Sequence, residues 1–200
     1  VRIYGVQPKG SPAMALSFMK GRLVKVKHID TIADGVAVKR PGELTLRIIR
    51  ELVDDVVLVD EDSIVRAVFT LLERSKCVAE PAGALGVAAL LSGELDVKGK
   101  KTAVIVSGGN VDMSMLARIV ERGLVLEGRQ ARIRGVLPDR PGSLSKVLAV
   151  LASAKANIVT IEHDRVNPRL NPGKAEVIIT LEVPEPRRLG DIIRQLKKKG

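Results

Sequence analysis

This chain has very few aromatic residues and very little cysteine. It has 200 residues with no tryptophan, one tyrosine, two phenylalanines and a single cysteine, Cys77. One cysteine cannot form an internal disulfide. No segment approaches the ~20 consecutive apolar residues that cross a bilayer, and the first residues show neither the charged start nor the apolar core of a secretory signal. We therefore expect a globular, cytoplasmic protein without a disulfide and without a membrane partner.

Positive charge is concentrated towards the C-terminus. Residues 129–200 hold 15 Lys and Arg against 7 Asp and Glu, whereas residues 1–128 hold 18 against 16. A basic module of this kind could bind nucleic acid. Single strands, however, are bound by stacking on aromatic side chains, and Tyr4, Phe18 and Phe69 all precede this module. We predict no nucleic-acid partner.

Strand-like and helix-like patterns alternate over residues 1–128. The apolar spacing predicts strands at Val1–Val6, Asp55–Val59 and Thr102–Val106. It predicts helices at Pro12–Met19, Glu43–Val53, Glu61–Lys76 and Ala82–Leu91, with a further helix after Asp112. Alternating strands and helices predict an α/β unit with a mainly parallel sheet and flanking helices.

The pattern changes near residues 123–130, where glycines and polar residues suit a linker. A second unit is therefore predicted over residues 129–200, after a first over residues 1–128. Its predicted strands are Ala131–Leu137, Ile158–Val166 and Ala175–Val183, and its predicted helices are Leu144–Ala154 and Leu189–Leu196. This βαββα order lacks only the last strand of a ferredoxin-like βαββαβ sandwich, an α+β fold.

Both ends of the sequence look cut. It opens at Val1 rather than at Met, in a strand-like stretch, and it closes on residues 197–200 just after a helical pattern. Together with the lacking strand, this predicts a truncation at Gly200.

The most informative stretch runs from the predicted strand Thr102–Val106 into Ser107, Gly108, Gly109 and Asn110. Ligands of open α/β sheets bind at the carboxyl ends of strands, where Ser107 is expected. The glycines allow close approach of the backbone, and Asn110 can cap the following helix. The alternative interpretation is an ordinary glycine turn between a strand and a helix.

Several segments occur together and in order. They are Gly5-Val6-Gln7, Thr31-Ile32-Ala33-Asp34-Gly35, Glu51-Leu52-Val53-Asp54-Asp55, Glu80-Pro81-Ala82-Gly83-Ala84 and Ser107-Gly108-Gly109-Asn110. Together they resemble the second half of the catalytic domain of the threonine dehydratases (threonine ammonia-lyases), a family of fold type II pyridoxal phosphate enzymes. The later residues resemble an ACT domain, whose most recognisable piece is Asp139-Arg140-Pro141-Gly142-Ser143-Leu144.

The resemblance implies a lyase that dehydrates and deaminates L-threonine, or L-serine, to a 2-oxo acid and ammonia, as in isoleucine biosynthesis. Its cofactor would be pyridoxal 5'-phosphate. By the same resemblance, Ser107 hydrogen-bonds the pyridine nitrogen of the cofactor, Gly35 lies against the ring and Asp34 orients that loop. Gly108 and Asn110 belong to the same turn, and Glu80 is a further cofactor neighbour. A serine at the pyridine nitrogen leaves the ring closer to neutral than an aspartate would, which favours loss of the β-hydroxyl over transamination.

Two elements of that family do not occur in these 200 residues. The lysine that forms the Schiff base lies in a Ser-Phe-Lys-x-Arg-Gly-Ala motif, and a glycine-rich loop holds the cofactor phosphate. We therefore assign no catalytic residue to this chain and expect it to be inactive when expressed alone.

The ACT resemblance implies a homo-oligomer, a dimer or a tetramer, that binds a small amino acid near the first turn and helix. The effector would be isoleucine or valine. The candidate residues are Asp139, Gly142, Ser143 and Asn157, since a glycine can take strained backbone and the free amides of a helix start can receive a carboxylate. The alternative is a tight turn in a module that only stabilises the oligomer.

Two other functions stay open. The chain could be a non-catalytic amino-acid sensor, or it could belong to another fold type II enzyme such as serine racemase or threonine synthase. Related serine racemases bind a divalent cation through an acidic residue where Gln7 stands, and a neutral amide is a poorer ligand for a hard cation. No metal site is predicted, and His28 and His163 are interpreted as surface or core residues.

Overall fold

The computed structural model describes residues 1–183 and 185–198. The chain divides into two compact units, Val1–Gly123 and Leu124–Gly200.

The first unit surrounds a small parallel sheet with helices. Its strands are β1 (Tyr4–Pro8) and β2 (Asp55–Val59), and its helices are α1 (Ala13–Lys20), α2 (Glu43–Leu52), α3 (Glu61–Ser75), α4 (Leu85–Ser92) and α5 (Met113–Leu126), the last running past the unit boundary. β1 and β2 pair in parallel, from Tyr4 opposite Asp55 to Pro8 opposite Val59. This arrangement confirms the predicted α/β class with a parallel sheet.

Helix α3 forms where its capping residue and its apolar spacing predict a helix. Its capping residue Asp60 accepts a hydrogen bond from the Ser63 N–H at 2.8 Å. The hydrogen bonds from Ser63 hold the pKa of Asp60 below its ordinary value. A cap of this kind stabilises α3 at neutral pH, and its contribution is lost as the pH falls through the lowered pKa. Ile64 and Val68, one turn apart, are completely buried, as the helical spacing predicts.

Two elements of the first unit differ in their bounds from the prediction. The first strand begins at Tyr4 rather than Val1, because Ile3 bonds the side chain of Asp54 outside the ladder, at 2.6 Å from its N–H to Oδ2. Helix α4 begins at Leu85 rather than Ala82. The residues before it form a turn, in which the Ala84 N–H donates to the carbonyl oxygens of both Glu80 and Pro81.

The second unit packs two helices on an antiparallel sheet. Its elements are β3 (Gln130–Pro138), α6 (Ser143–Ser153), β4 (Asn157–Asp164), β5 (Lys174–Glu182) and α7 (Arg187–Lys198). The sheet order is β3-β5-β4, with both pairs antiparallel. The buried core consists of Leu151, Val177, Ile179, Leu181, Val183 and Ile192. The predicted βαββα order is confirmed.

Strand β3 pairs with β5 and with no other strand among residues 1–183 and 185–198. The predicted lack of a final strand stays a prediction. Two residues of the predicted cut end, Lys199 and Gly200, lie outside the described residues, as does Pro184.

No helix in the described part of the chain combines the length and the apolar character needed to cross a membrane.

Candidate functional site

The segment Thr102–Val106 is not the buried strand that its apolar run predicts. It pairs with no strand in the described part of the chain, and the side chain of Ile105 is 89% exposed. A strand is held by the hydrogen bonds of a neighbouring strand. In the described part of the chain, β1 and β2 bond only each other, so residues 102–106 have no neighbouring strand to pair with. The predicted strand is therefore wrong for these residues.

The same segment packs instead against the start of α4 and the turn before it, where Gly86 and Gly83 lie. A Cβ added at Gly83 would lie 1.5 Å from the carbonyl oxygen of Ser107, and one at Gly86 would lie 2.7 Å from Cγ1 of Val104. The backbones at residues 83 and 107 are therefore in direct contact, which only a residue without a side chain permits. A hydrogen bond of 3.0 Å from the Glu80 N–H to the Gly108 carbonyl oxygen fastens the end of the segment.

The carboxylate of Glu80 lies between two glycines. A Cβ at Gly108 would fall 2.1 Å from its Cδ, and a Cβ at Gly35 would fall 3.5 Å from its Oε1. Gly35 also faces Ala82, whose Cβ is 3.1 Å from the same added atom. The fold thus brings together three predicted site residues that are separated by up to 73 positions in the sequence. The carboxylate of Glu80 accepts no hydrogen bond from residues 1–183 or 185–198.

The remaining predicted residues lie around this centre. Ser107 directly precedes Gly108 and is exposed. Asp34 directly precedes Gly35 in a short 3-10 helix, Asp34–Val36. Asn110 lies two residues beyond Gly108 on the same loop.

Asn110 does not cap the helix that follows it. The carboxylate of Asp112 accepts from the N–H of Ser114 at 2.8 Å and from its hydroxyl at 3.0 Å. These bonds hold the pKa of Asp112 below its ordinary value. Asp112 rather than Asn110 stands at the capping position, because α5 begins at Met113, two residues later than a cap at Asn110 would require.

Gln7 has a structural role that the sequence did not reveal. Its side chain is buried, and its Oε1 accepts from the backbone N–H groups of Met14 and Ala15, each at 2.9 Å. Helix α1 has no other side-chain cap, since Pro12 stands at its capping position. The oxygen that would have to ligate a cation is thus occupied by two donors. No group of three His, Cys, Asp or Glu side chains in the described part of the chain is placed to hold a metal ion.

This capping role predicts how Gln7 variants behave. We expect Gln7→Ala to destabilise the first unit by about 2 kcal/mol, because two N–H groups at a buried helix start lose their acceptor. Gln7→Glu keeps an acceptor at the same place, where the helix dipole favours a negative charge, and should unfold close to the parent. Urea unfolding followed by circular dichroism measures both. Equal midpoints for Gln7→Ala and the parent would contradict the capping role.

A second candidate site lies in the second unit, at the turn before α6. A cavity of about 320 Å³ is lined by Asp139, Gly142 and Ser143, three of the four predicted effector residues. Gly142 has a φ of +87°, which favours glycine. The fourth, Asn157, begins β4, is exposed and does not line this cavity.

Two lining residues of this cavity were missed from the sequence. The guanidinium Nε of Arg165 donates to both carboxylate oxygens of Asp139, at 3.0 and 2.9 Å. His163 lines the same cavity, although the sequence analysis interprets it as a surface or core residue. Asp139 is 24 positions from His163 and 26 positions from Arg165 in the sequence, and only the alternation along the predicted strand Ile158–Val166 pointed to a shared face for His163 and Arg165.

Comparison with known proteins identifies the families that the two parts of the chain match. The family described as "Pyridoxal-phosphate dependent enzyme" matches residues 1–109, and the family described as "ACT domain" matches residues 132–200. L-threonine ammonia-lyase of Thermotoga maritima is 42% identical over 200 residues, and that of Geobacter sulfurreducens is 44% identical over 200 residues. Both alignments cover 100% of this chain and 50% of the relative, so the chain spans about half the length of the curated relatives it matches.

A solved structure has a fold similar to that of part of this chain. Maize serine racemase matches with a TM-score of 0.54 and 40% identity, over 61% of this chain and 39% of the racemase chain. This chain therefore belongs to the family of pyridoxal-phosphate dependent enzymes and carries an ACT domain over residues 132–200.

Proposed function

We propose that this chain is part of a threonine ammonia-lyase, which removes water and then ammonia from L-threonine, or from L-serine, and yields a 2-oxo acid. The observation that carries the proposal is the convergence of Gly35, Glu80 and Gly108 beside the exposed hydroxyl of Ser107. The identity to two proteins named L-threonine ammonia-lyase, over all 200 residues, supports the substrate. The location proposed for the whole protein is cytoplasmic.

The residues present fit a flat aromatic cofactor. Gly35 and Gly108 carry no side chain of their own, and the space that a Cβ would take at Gly108 is held by the polar Glu80 carboxylate. A hydroxyl such as that of Ser107 can donate one hydrogen bond and accept others, so it suits a pyridine nitrogen in its neutral form. Gly35, Ser107 and Gly108 would hold pyridoxal phosphate, with Asp34, Glu80 and Asn110 around them.

Each side chain then has a limited task. When bound, the cofactor supplies an electron-poor ring that withdraws electrons from the substrate. Ser107 would place a hydroxyl rather than a full negative charge at the ring nitrogen, so the ring would not be driven to its most electron-withdrawing state. Gly35 and Gly108 would keep side chains of their own away from the cofactor, and Glu80 would place a carboxylate near it.

The second unit is proposed to bind a branched amino acid, isoleucine or valine, that regulates the lyase. The 320 Å³ cavity is large enough for such a molecule, and its wall includes Ser143, Leu144 and Ser145 from the first turn of α6. The Asp139–Arg165 ion pair supplies both signs of charge at its edge, which suits the ammonium and carboxylate of a free amino acid. The whole protein is proposed to be a homo-oligomer.

The activity test compares the whole protein with these 200 residues. We expect the whole protein to show the visible absorbance of bound cofactor and to form a 2-oxo acid from threonine, with a rate that changes when isoleucine or valine is added. The 200-residue chain alone should show neither signal, because it holds no Schiff-base lysine motif. Absence of cofactor from the whole protein, or lyase activity of the chain alone, would contradict the proposal.

Serine racemisation is the second candidate, because maize serine racemase is 40% identical over the part it matches. The same preparation, given L-serine, distinguishes the two functions by chiral analysis. We expect a 2-oxo acid without D-serine. Accumulation of D-serine would favour the racemase.

A further inference from the structure

The loop that presents Asp34 and Gly35 is tied to the rest of the first unit on its upstream side. The Asp30 N–H donates to the carbonyl oxygen of Gly10 at 3.0 Å. The contact is so close that a Cβ at Gly10 would lie 1.6 Å from the Asp30 oxygen. The path of the loop is therefore fixed from its first residue.

A carboxylate from α3 holds the next part of the loop. Oε2 of Glu61 accepts from the N–H of Ile32 at 2.9 Å, across 29 positions of sequence. Glu61 stands in the first turn of α3, directly after the capping residue Asp60, so its own backbone is well fixed. The loop residue Thr31 adds a short bond, in which its hydroxyl oxygen accepts from the Ala33 N–H at 3.1 Å.

The burial of the Glu61 carboxylate costs free energy of folding. Its other oxygen, Oε1, is buried and has no hydrogen-bond partner in the described part of the chain. A buried acceptor without a partner opposes folding. Stability of the helix alone does not call for such a side chain here, because Asp60 already caps α3.

A buried hydroxyl holds the downstream side. Ser11 is 0% exposed, and its Oγ donates to the carbonyl oxygen of Val36 at 3.2 Å. Ser11 and Glu61 thus bond the loop on opposite sides of the Asp34–Gly35 pair. Neither side chain lies within 4 Å of a Cβ added at Gly35.

We propose that Glu61 is a positioning residue of the cofactor site, assisted by Ser11, and that its task is to keep Gly35 at a fixed distance from Glu80 and Ala82. This inference rests on the proposed function, since it takes Gly35 as part of the cofactor surface. An added Cβ at Gly35 would lie 3.1 Å from the Cβ of Ala82 and 3.5 Å from Oε1 of Glu80, so the loop packs closely against both residues, and a shift of about an ångström would change these contacts.

The experiment uses the whole protein with Glu61→Ala, Glu61→Gln and Ser11→Ala. Asp62→Asn is the matched control, because Asp62 lies on the same turn of α3 and bonds Arg122 at the exposed surface, 3.0 Å from Oδ1 to Nη2. Two quantities are measured: hydrogen exchange of the amides of residues 30–36, and the dissociation constant of pyridoxal phosphate.

We expect Glu61→Ala to speed exchange of the Ile32 amide and to weaken cofactor binding by roughly 10–100-fold. Ser11→Ala should act in the same direction with a smaller change. Glu61→Gln keeps an acceptor for the Ile32 N–H and should bind the cofactor within about threefold of the parent, since a hydrogen bond to a charged acceptor is only about twice as strong as one to a neutral acceptor. Asp62→Asn should change neither quantity.

Two results would overturn the positioning role. One is exchange of residues 30–36 that is unchanged in both Glu61→Ala and Ser11→Ala. The other is faster exchange with cofactor affinity equal to that of the parent, which would leave Glu61 a purely structural residue. A parent protein that binds no cofactor at all would instead refute the proposed function. A Glu61→Ala protein that does not fold leaves Ser11→Ala to decide by the same two measurements.

Discussion

Replacing Gly83 with alanine should destabilise the first unit by about 3 kcal/mol, at the upper end of what overpacking costs. The new Cβ would lie 1.5 Å from the Ser107 carbonyl oxygen, a backbone atom that cannot rotate away. Either the start of α4 or the loop that carries Ser107 must move. In the whole protein, the same substitution should abolish cofactor binding, since Glu80 and Gly108 are joined across this contact.

Urea unfolding of the first unit measures the stability, with Gly109→Ala as its control. Gly109 lies in the same loop, but a Cβ there would meet only the Val78 oxygen at 3.7 Å, an ordinary van der Waals contact. We expect Gly109→Ala to unfold within about 1 kcal/mol of the parent. If Gly83→Ala were as stable as Gly109→Ala, the two backbones could not be in contact.

Replacing Ser107 with alanine in the whole protein should lower kcat for threonine by roughly 100-fold, the loss seen when one preorganised hydrogen bond to a reacting group is removed. The fold should be unaffected, because the side chain of Ser107 is exposed and only its backbone packs on α4. The absorbance of the bound cofactor should also change, because the hydroxyl is proposed to bond its ring nitrogen.

Steady-state kinetics and absorbance spectra of Ser107→Ala are compared with those of Ser75→Ala. Ser75 is an exposed serine at the end of α3, in the same unit, and its loss should leave both quantities at the parental level. A Ser107→Ala protein with parental kcat and spectrum would show that the hydroxyl has no contact with the reacting group.

Elements whose signals are local could be predicted from the sequence. Helix α3 is an example, because its cap at Asp60 and its apolar spacing lie within one segment. The strand β5 is another, since buried and half-buried residues alternate along it from Ala175 to Leu181. The segment Thr102–Val106 has an equally clear apolar run, yet it forms no strand here, because a strand depends on a neighbour that its own residues do not specify.

The contacts that hold the candidate site together could not be predicted from the sequence. The motifs named Gly35, Glu80 and Gly108, and the fold brings them together. That a backbone contact at Gly83 and a buried carboxylate at Glu61 hold them in place depends on long-range packing, which no local pattern encodes. The bond from Arg165 to Asp139 spans 26 positions and was missed for the same reason.

The backbone of residues 102–106 pairs with no strand in the described part of the chain, which has a practical consequence for anyone handling these 200 residues alone. The run Thr-Ala-Val-Ile-Val carries no charge and no proline and is rich in β-branched side chains, the composition of segments that stack into cross-β fibrils. Lys100 and Lys101 stand directly before it, and repulsion between their positive charges on neighbouring copies opposes such stacking. Solubility should therefore depend on ionic strength, since salt screens the two ammonium groups that keep copies of this segment apart.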